Sequence, residues 1–330
     1  MTHIDRLAEL KHWLGQIVGS RDFTVQPASE DASFRRYFRV KVGDESYIVM
    51  DAPPTLEDCR DFVKIAKLLE SHGLHVPHIF NADLTQGFLL LSDLGDTLYL
   101  SRLNRNSVDT LYGDALDALL SIQTCTPHTE LPPYDATLLD REMALFRDWF
   151  LLTHLQLTLD TDAESIITET FTQLRASALV QPQVFVHRDY HSRNLMVTDI
   201  NNPGILDFQD AVSGPISYDL VSLLRDCYIA WPDSQIDRWV TDYHARLLTH
   251  KLIDADYPLF KKWFDWMGMQ RHLKAIGIFS RLKHRDGKNG YLKDIPRTLD
   301  YVLAVCTHYP ELGAFGELLH RLRIRESLST

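Results

Sequence analysis

Three early stretches, "DFTVQPA" (22–28), "FRRYFRVKV" (34–42) and "SYIVMDA" (46–52), are dense in β-branched and aromatic residues and predict strands. The short connection "GDE" predicts a hairpin between the second and third. From about Thr55 to Ser71 the apolar period becomes helical, with Phe62, Ile65, Leu68 and Leu69 on one face and Gly73 as the stop. Two further strands, near His78–Ala82 and Gly87–Ser92, bracket a turn at Asp83–Gln86. Ahead of all these, "MTHIDRLAELKHWLGQIV" reads as an amphipathic helix. Beyond "SDLGD" (92–96) helical periodicity takes over, in 108–123, 138–156, 163–179, 217–230, 234–249, 257–285, 295–308 and 311–326. One segment interrupts it, 184–208, where two short apolar runs predict a loop-and-hairpin insert. Strands gathered first and helices afterwards predict an α+β chain with two lobes, unlike the alternation of a Rossmann domain. The expected division is a small antiparallel sheet lobe at 1–92, a hinge at 93–96 and a large helical lobe at 97–330.

Composition narrows the partners. The net charge is −11, so the molecule as a whole repels polyanions and broad nucleic-acid binding is not expected. Cys59, Cys125, Cys227 and Cys306 lie far apart without a CxxC or Cys/His spacing and read as reduced thiols. The histidines form no HExxH-type pattern, which argues against zinc. The first residues lack the basic and continuous apolar regions of a signal peptide, and no apolar run approaches the roughly 20 residues of a membrane span. The expectation is a cytoplasmic protein with a small-molecule ligand, no membrane contact and no obligate protein partner.

The insert carries the chemistry. "FVHRDYHSRNLMV" (185–197) places Asp189 five residues before Asn194, and Asp207 follows thirteen residues later within "LDF". This is the spacing of the kinase catalytic loop H-x-D-x-x-x-x-N and the metal-binding aspartate after it. One carboxylate orients an attacking hydroxyl and accepts its proton. A second carboxylate and an amide oxygen hold Mg²⁺ against the phosphates of ATP. A lone HRD could equally stabilise a turn. The agreement of Asn194, Asp207 and the two-lobe layout points instead to phosphoryl transfer on a protein-kinase-like fold.

"LDFQDA" runs into "SGPISYDL" with no activation segment and no A-P-E. At this point the chain resembles the aminoglycoside phosphotransferase and choline kinase superfamily, whose G-x-P-x-x-Y-D-L-type stretch is matched by "GPISYDL" at 214–220. The resemblance implies that Asp219 braces the catalytic loop through backbone hydrogen bonds. "SFRRYFRV", "IVMDAPP", "GFLLLSDLGD", "LDFQDAVSGPISYDLVSLLRD" and "HRDGKNGYLKDIPRTLDYV" together look like the bacterial N-acetylmuramate/N-acetylglucosamine anomeric kinases of cell-wall recycling. That resemblance spans about residues 5–325. It implies an ATP- and Mg²⁺-dependent sugar kinase acting on the anomeric hydroxyl.

The chain departs from the kinase pattern in two places. Met50 stands where strand β3 of a kinase carries its phosphate-binding lysine, and Phe62 falls near the place of that lysine's glutamate partner. Both charges are missing together, as a buried ion pair requires. There is no glycine-rich loop; "ASEDASFRR" offers Ser29, Ser33 and backbone N–H groups instead. Arg35, Arg36 and Arg39 are candidates for the lost phosphate contact, with Arg36 favoured and solvated strand arginines as the plain alternative. By family analogy the backbone of Ser92 to Leu94 meets the adenine edge. His191, two residues after the expected base, is placed to assist the transferring phosphate, or else packs in the loop.

For the acceptor, Arg271 and Lys274 fall on the apolar stripe of Phe260, Trp263, Met267, Ile278 and Leu282. They read either as a pocket for an acidic or hydroxylated substrate or as internal salt bridges. Trp231 is a candidate sugar-stacking residue, or a core one, and Gln209 lies two residues beyond Asp207. The rival functions are another small-molecule kinase, for an aminoglycoside, choline or homoserine, and a nucleotide-binding pseudokinase. Basic residues in the acceptor region argue against the cationic substrates, and retention of Asp189, Asn194 and Asp207 argues against the pseudokinase.

Overall fold

The computed structural model describes residues 3–19, 22–30, 35–125 and 130–328. They form two compact units, one of residues 1–118 with 193–210 and the other of 119–192 with 211–330. The expected boundaries at 92 and 96 both fall inside the first unit.

In the first unit, helix α1 (His3–Ile17) precedes strands β1 (Thr24–Glu30), β2 (Arg36–Val42) and β3 (Glu45–Asp51), helix α2 (Arg60–Ser71), and strands β4 (Ile79–Asp83) and β5 (Phe88–Ser92). The sheet is antiparallel throughout, in the order β1-β2-β3-β5-β4. Alternation places Val40, Val49, Phe88 and Leu90 on one face, and α1 seals it with Leu10, Trp13 and Leu14. Burying these apolar side chains under one helix is what fixes the sheet's register. The short helix α3 (Tyr99–Arg102) and the longer α4 (Val108–Gln123) follow the sheet, and the boundary between the units falls within α4, after Ala118.

The second unit is mainly helical: α5 (Ala136–Leu145), a π-helical turn set (Phe146–His154) and α6 (Thr161–Leu179), followed by strand β6 (Gln183–Val186). Strands β7 (Leu195–Met196) and β8 (Gly204–Ile205) return the chain to the first unit as a two-stranded hairpin. Strand β9 (Val212–Pro215) pairs antiparallel with β6. Helices α7 (Tyr218–Leu224), α8 (Asp233–Thr249), α9 (Tyr257–Asp286), α10 (Ile295–His308), α11 (Gly313–Arg321) and α12 (Ile324–Ser327) complete the unit. This is the α+β, sheet-then-helices arrangement that the sequence predicts.

Helix α9 organises the second unit. Its start is capped by the Asp256 carboxylate, which accepts from Leu259 N at 3.0 Å, and it stops at Gly287 in the left-handed region (φ 70°). From Trp263 to Lys274 every residue is buried, so the helix is enclosed on all sides rather than along one stripe. Gly277 permits the closest approach: a Cβ there would lie 2.3 Å from the backbone carbon of Leu145 at the end of α5. Among the described residues no helix is long and apolar enough to cross a membrane, and the four cysteines are free and buried.

Candidate active site

The second unit carries Asp189. After β6 the chain turns sharply, with Arg188 in the left-handed region (φ 75°), a conformation that a side-chain-bearing residue adopts only when held there. Asp219 at the start of α7 supplies the hold. It is fully buried, and its two oxygens accept from His187 N (2.6 Å) and Arg188 N (3.0 Å). The bracing role implied for Asp219 is thus present in the structure. Burial pushes the Asp219 carboxyl up to about 7, against the pull of those two donors.

The far end of the loop is fixed in the same way. Asp226 accepts from Ser192 N at 2.9 Å, from the Ser192 hydroxyl and from Tyr228 N at 2.8 Å. Asp226 had no role expected from the sequence, although it follows the apolar run "LVSLL" and Arg225.

Asp189 itself is half-buried. Desolvation pushes its carboxyl up, but Lys274, His191, Arg188 and Arg271 together outweigh this and hold it below the ordinary aspartate value. It is therefore ionised at neutral pH. All four lie on two elements, the loop and α9, and two of them, Arg188 and Lys274, end on Glu142 of α5. Glu142 is almost fully buried and accepts from Arg188 Nη2, Lys274 Nζ (3.1 Å), the Tyr134 hydroxyl and, more distantly, Gln270 Nε2 (3.5 Å). Lys274 also donates to the Tyr218 hydroxyl at 3.0 Å. Desolvation raises the Glu142 carboxyl, and Lys274 and Arg188 more than reverse that, so its value is lowered. Glu142 is a residue the sequence reading missed; the signal for it is that two basic residues on a buried helix demand a carboxylate elsewhere.

The candidate acceptor residues separate. Arg271 and Lys274 are both buried on α9, as the helical spacing places them. Lys274 is engaged with Glu142, the internal salt bridge weighed as its alternative reading, whereas Arg271 donates only a weak contact to Cys227 Sγ at 3.5 Å. His191 packs edge-on to Tyr228, with ring centroids 5.3 Å apart. Trp231 does not end a helix: α7 stops at Leu224, and Trp231 lies before α8, half-buried and edge-on to Trp239.

The first unit carries Asn194 and Asp207. The β7–β8 hairpin pairs Leu195 with Ile205, and Leu206 N donates to Asn194 O at 2.9 Å, which sets the two functional residues side by side. Asn194 Nδ2 donates to Asp207 Oδ2 at 3.2 Å, and Gln209 Nε2 donates to Oδ1 at 2.7 Å. Asp207 sits in the left-handed region (φ 63°), where aspartate and asparagine are the side chains best tolerated. Gln209 is thus placed against the Asp207 carboxylate. Among the described residues no three or more His, Cys, Asp or Glu side chains group to hold a metal ion. One carboxylate and one amide oxygen are nevertheless the donor set that suits Mg²⁺, which is bound by few protein oxygens and takes the rest from phosphates and water.

Around this pair the missing kinase charges are accounted for. Met50 is fully buried in β3, and Phe62 of α2 packs against Phe208, centroids 4.9 Å apart, so both positions are apolar core. The strand's charge sits one residue later: buried Asp51 accepts from Arg6 Nε (2.8 Å) and Arg36 Nε (3.1 Å). Arg39 is held by Asp93 (2.6 Å). Arg35, just ahead of β2, is ion-paired with Glu57 at 3.0 Å and has only 9% of its side chain exposed. Desolvation lowers its value, but Tyr37, Glu57, Asp210 and Asp207 together outweigh this and raise it, so it remains a cation acting on Asp207.

Ser33 lies outside the described residues, and of Ser29 only the backbone, paired with Tyr37, is described. Ser92 N donates to His78 O at 2.9 Å, and its hydroxyl accepts from His78 N. Ser92 and Leu94 both line an open cleft of about 1170 Å³ in the first unit, with His75, Thr97, Arg102 and Thr198.

Comparison with known proteins finds relatives over most of the chain. The family model described as "Phosphotransferase enzyme family" matches residues 24–258. The N-acetylmuramate/N-acetylglucosamine kinase of Pseudomonas putida is 45% identical over 97% of this chain and 98% of its own length. The enzyme of that name from Pseudomonas aeruginosa is 48% identical over 90% of this chain and 88% of its own. Among solved structures, a choline/ethanolamine kinase family protein from Mesorhizobium loti shares the fold, with a TM-score of 0.63 at 12% identity over 95% of this chain and 99% of that one. The matched family model, which spans the chain from β1 to the start of α9, and relatives this similar over most of its length establish that the chain belongs to the phosphotransferase enzyme family.

Proposed function

We propose that the protein is an ATP- and Mg²⁺-dependent kinase that phosphorylates the anomeric hydroxyl of N-acetylmuramate and N-acetylglucosamine, a step of peptidoglycan recycling. The observation that carries the reading is Asp189, ionised among four basic side chains on a loop clamped at both ends by Asp219 and Asp226. The choice of sugar is supported by the names of the relatives that match almost the whole chain.

Asp189 orients the acceptor hydroxyl and accepts its proton. Its lowered value makes it a weak base, which suits an anomeric hydroxyl, more acidic than an ordinary alcohol because two oxygens share its carbon. In a loose phosphoryl-transfer transition state, orientation matters more than deprotonation. Asn194 and Asp207 are the residues that would hold Mg²⁺, which neutralises charge on the departing phosphoryl group when bound. Gln209 keeps the Asp207 carboxylate oriented. Arg35 takes the phosphate contact of the missing β3 lysine, with Glu57 in the part of its partner glutamate. It replaces Arg36 in that role, because Arg35 feels the charge of Asp207, whereas two nitrogens of Arg36 end on Asp51. The backbone of Ser92 to Leu94 receives the nucleotide base.

Incubation with ATP, Mg²⁺ and a panel of sugars tests the reading. The two named amino sugars should be turned over, their methyl glycosides should not, and loss of the 6-hydroxyl should leave turnover in place. Turnover of a methyl glycoside would refute the anomeric assignment.

A further inference from the structure

The basic groups that act on Asp189 differ in how they are themselves satisfied. Arg188 and Lys274 both end on the Glu142 carboxylate. Arg271 does not. It is 5% exposed, its Nη1 reaches only the Cys227 sulfur at 3.5 Å, its Nε has no hydrogen-bond acceptor, and no carboxylate among the described residues forms an ion pair with it. A thiol is a weak acceptor and offsets little of the cost of burying a guanidinium. Nor can arginine escape by losing its proton, as a buried lysine can. Asp226 and Asp189 act on it only at a distance, with no ion pair among the described residues, so the buried guanidinium is satisfied when an anion arrives with the ligand, and its fork matches a carboxylate.

We propose that Arg271 receives the carboxylate of an acidic amino sugar and so sets the preference for N-acetylmuramate over N-acetylglucosamine; this rests on the kinase reading above. The two sugars differ by the lactyl ether on O3, whose carboxylate is the only anionic group either carries. Lys274, the other basic residue of this helix that acts on Asp189, serves Glu142 and Tyr218 rather than the sugar. Another anion available during the reaction is a donor phosphate. Arg271 belongs to the unit that carries the base Asp189, whereas Asn194, Asp207 and Arg35, the groups suited to phosphate and metal, belong to the other. A phosphate contact would act on both sugars alike, and that difference provides the test.

The measurement is the ratio of kcat/KM for N-acetylmuramate to that for N-acetylglucosamine, in the full-length protein and in Arg271→Gln and Arg271→Lys. Any loss common to both sugars, through the effect of Arg271 on Asp189, cancels in the ratio. The ratio should fall about 30-fold or more in Arg271→Gln and less in Arg271→Lys, which keeps the charge but not the fork. A ratio unchanged in either variant, with both rates lowered together, assigns Arg271 to phosphate or to structure and overturns the proposal. The wild-type protein gives an arm that depends on no variant: esterifying the lactyl carboxylate should lower kcat/KM at least tenfold relative to the free acid. Equal turnover of acid and ester also overturns the proposal. If the wild type phosphorylates neither sugar, the kinase reading itself fails and takes this inference with it, a result distinct from an unchanged ratio.

Discussion

Glu142→Gln tests the electrostatic frame around Asp189. The substitution keeps shape and removes one charge from a side chain that is only 4% exposed and that serves Arg188 and Lys274. Removing one member of a buried ion pair leaves the other uncompensated and costs about 3–5 kcal/mol. Here two cations share the carboxylate, so the upper part of that range is expected at pH 7, tempered only as Lys274 sheds its proton. The sign of the pH dependence follows from the lowered Glu142 value. A carboxyl whose folded value is depressed contributes stability that is present above its unfolded value, about 4.3, and is lost as pH falls through the folded value. The wild type should therefore lose this contribution in acid, while the glutamine variant has none to lose. Urea midpoints at constant m, from pH 7 down to pH 3, would show a gap between the two proteins that is widest at neutral pH and narrows below about pH 4. A gap under about 1 kcal/mol at pH 7, the scale of an exposed pair, or one that does not change with pH, would refute the reasoning.

Asp189→Asn should lower turnover by at least about 10²-fold with little change in nucleotide affinity, measured by steady-state kinetics and nucleotide titration. Asp207→Asn suits the left-handed backbone, so its effect reports the charge: the Mg²⁺ concentration needed for nucleotide binding should rise, and an unchanged Mg²⁺ dependence would remove Asp207 as a ligand. Gly277→Ala would drive a methyl into the Leu145 backbone and should cost about 1–3 kcal/mol or more, read as a lowered urea midpoint.

Where a periodic signal was long, the sequence predicted the fold closely. The five strands of the sheet lie within about two residues of their expected limits, and the 257–285 helix is α9 at Tyr257–Asp286. The insert expected at 184–208 holds β6 and the β7–β8 hairpin, whereas β9, four residues long, shows no period of its own and was not expected. The expected helix 217–230 stops at Leu224, because Asp226 turns its carboxylate to Ser192 and Tyr228 although the apolar run "CYIAW" continues beyond it. The expected start at Thr55 moves to Arg60, after Pro53 and Pro54, where Asp58 accepts from Arg60 N at 2.9 Å.

In the site, the spacing of Asp189, Asn194 and Asp207 was legible because the motif is local. The partners of the charged residues were not, because Glu142 meets Arg188 from 46 residues away and Lys274 from α9. The same limit explains the arginines. Strand alternation could say that Arg35 and Arg36 face opposite ways, but not that Asp51 waits for Arg36 and Glu57 for Arg35.

The central claim is that an acceptor oriented by Asp189 is phosphorylated on its anomeric oxygen. Proton-coupled phosphorus NMR of the product formed from N-acetylglucosamine, ATP and Mg²⁺ tests it most directly. A single phosphorus–hydrogen coupling to the anomeric proton, in a product that has lost its reducing end, is the predicted result. Coupling to the two protons of C6 would contradict it.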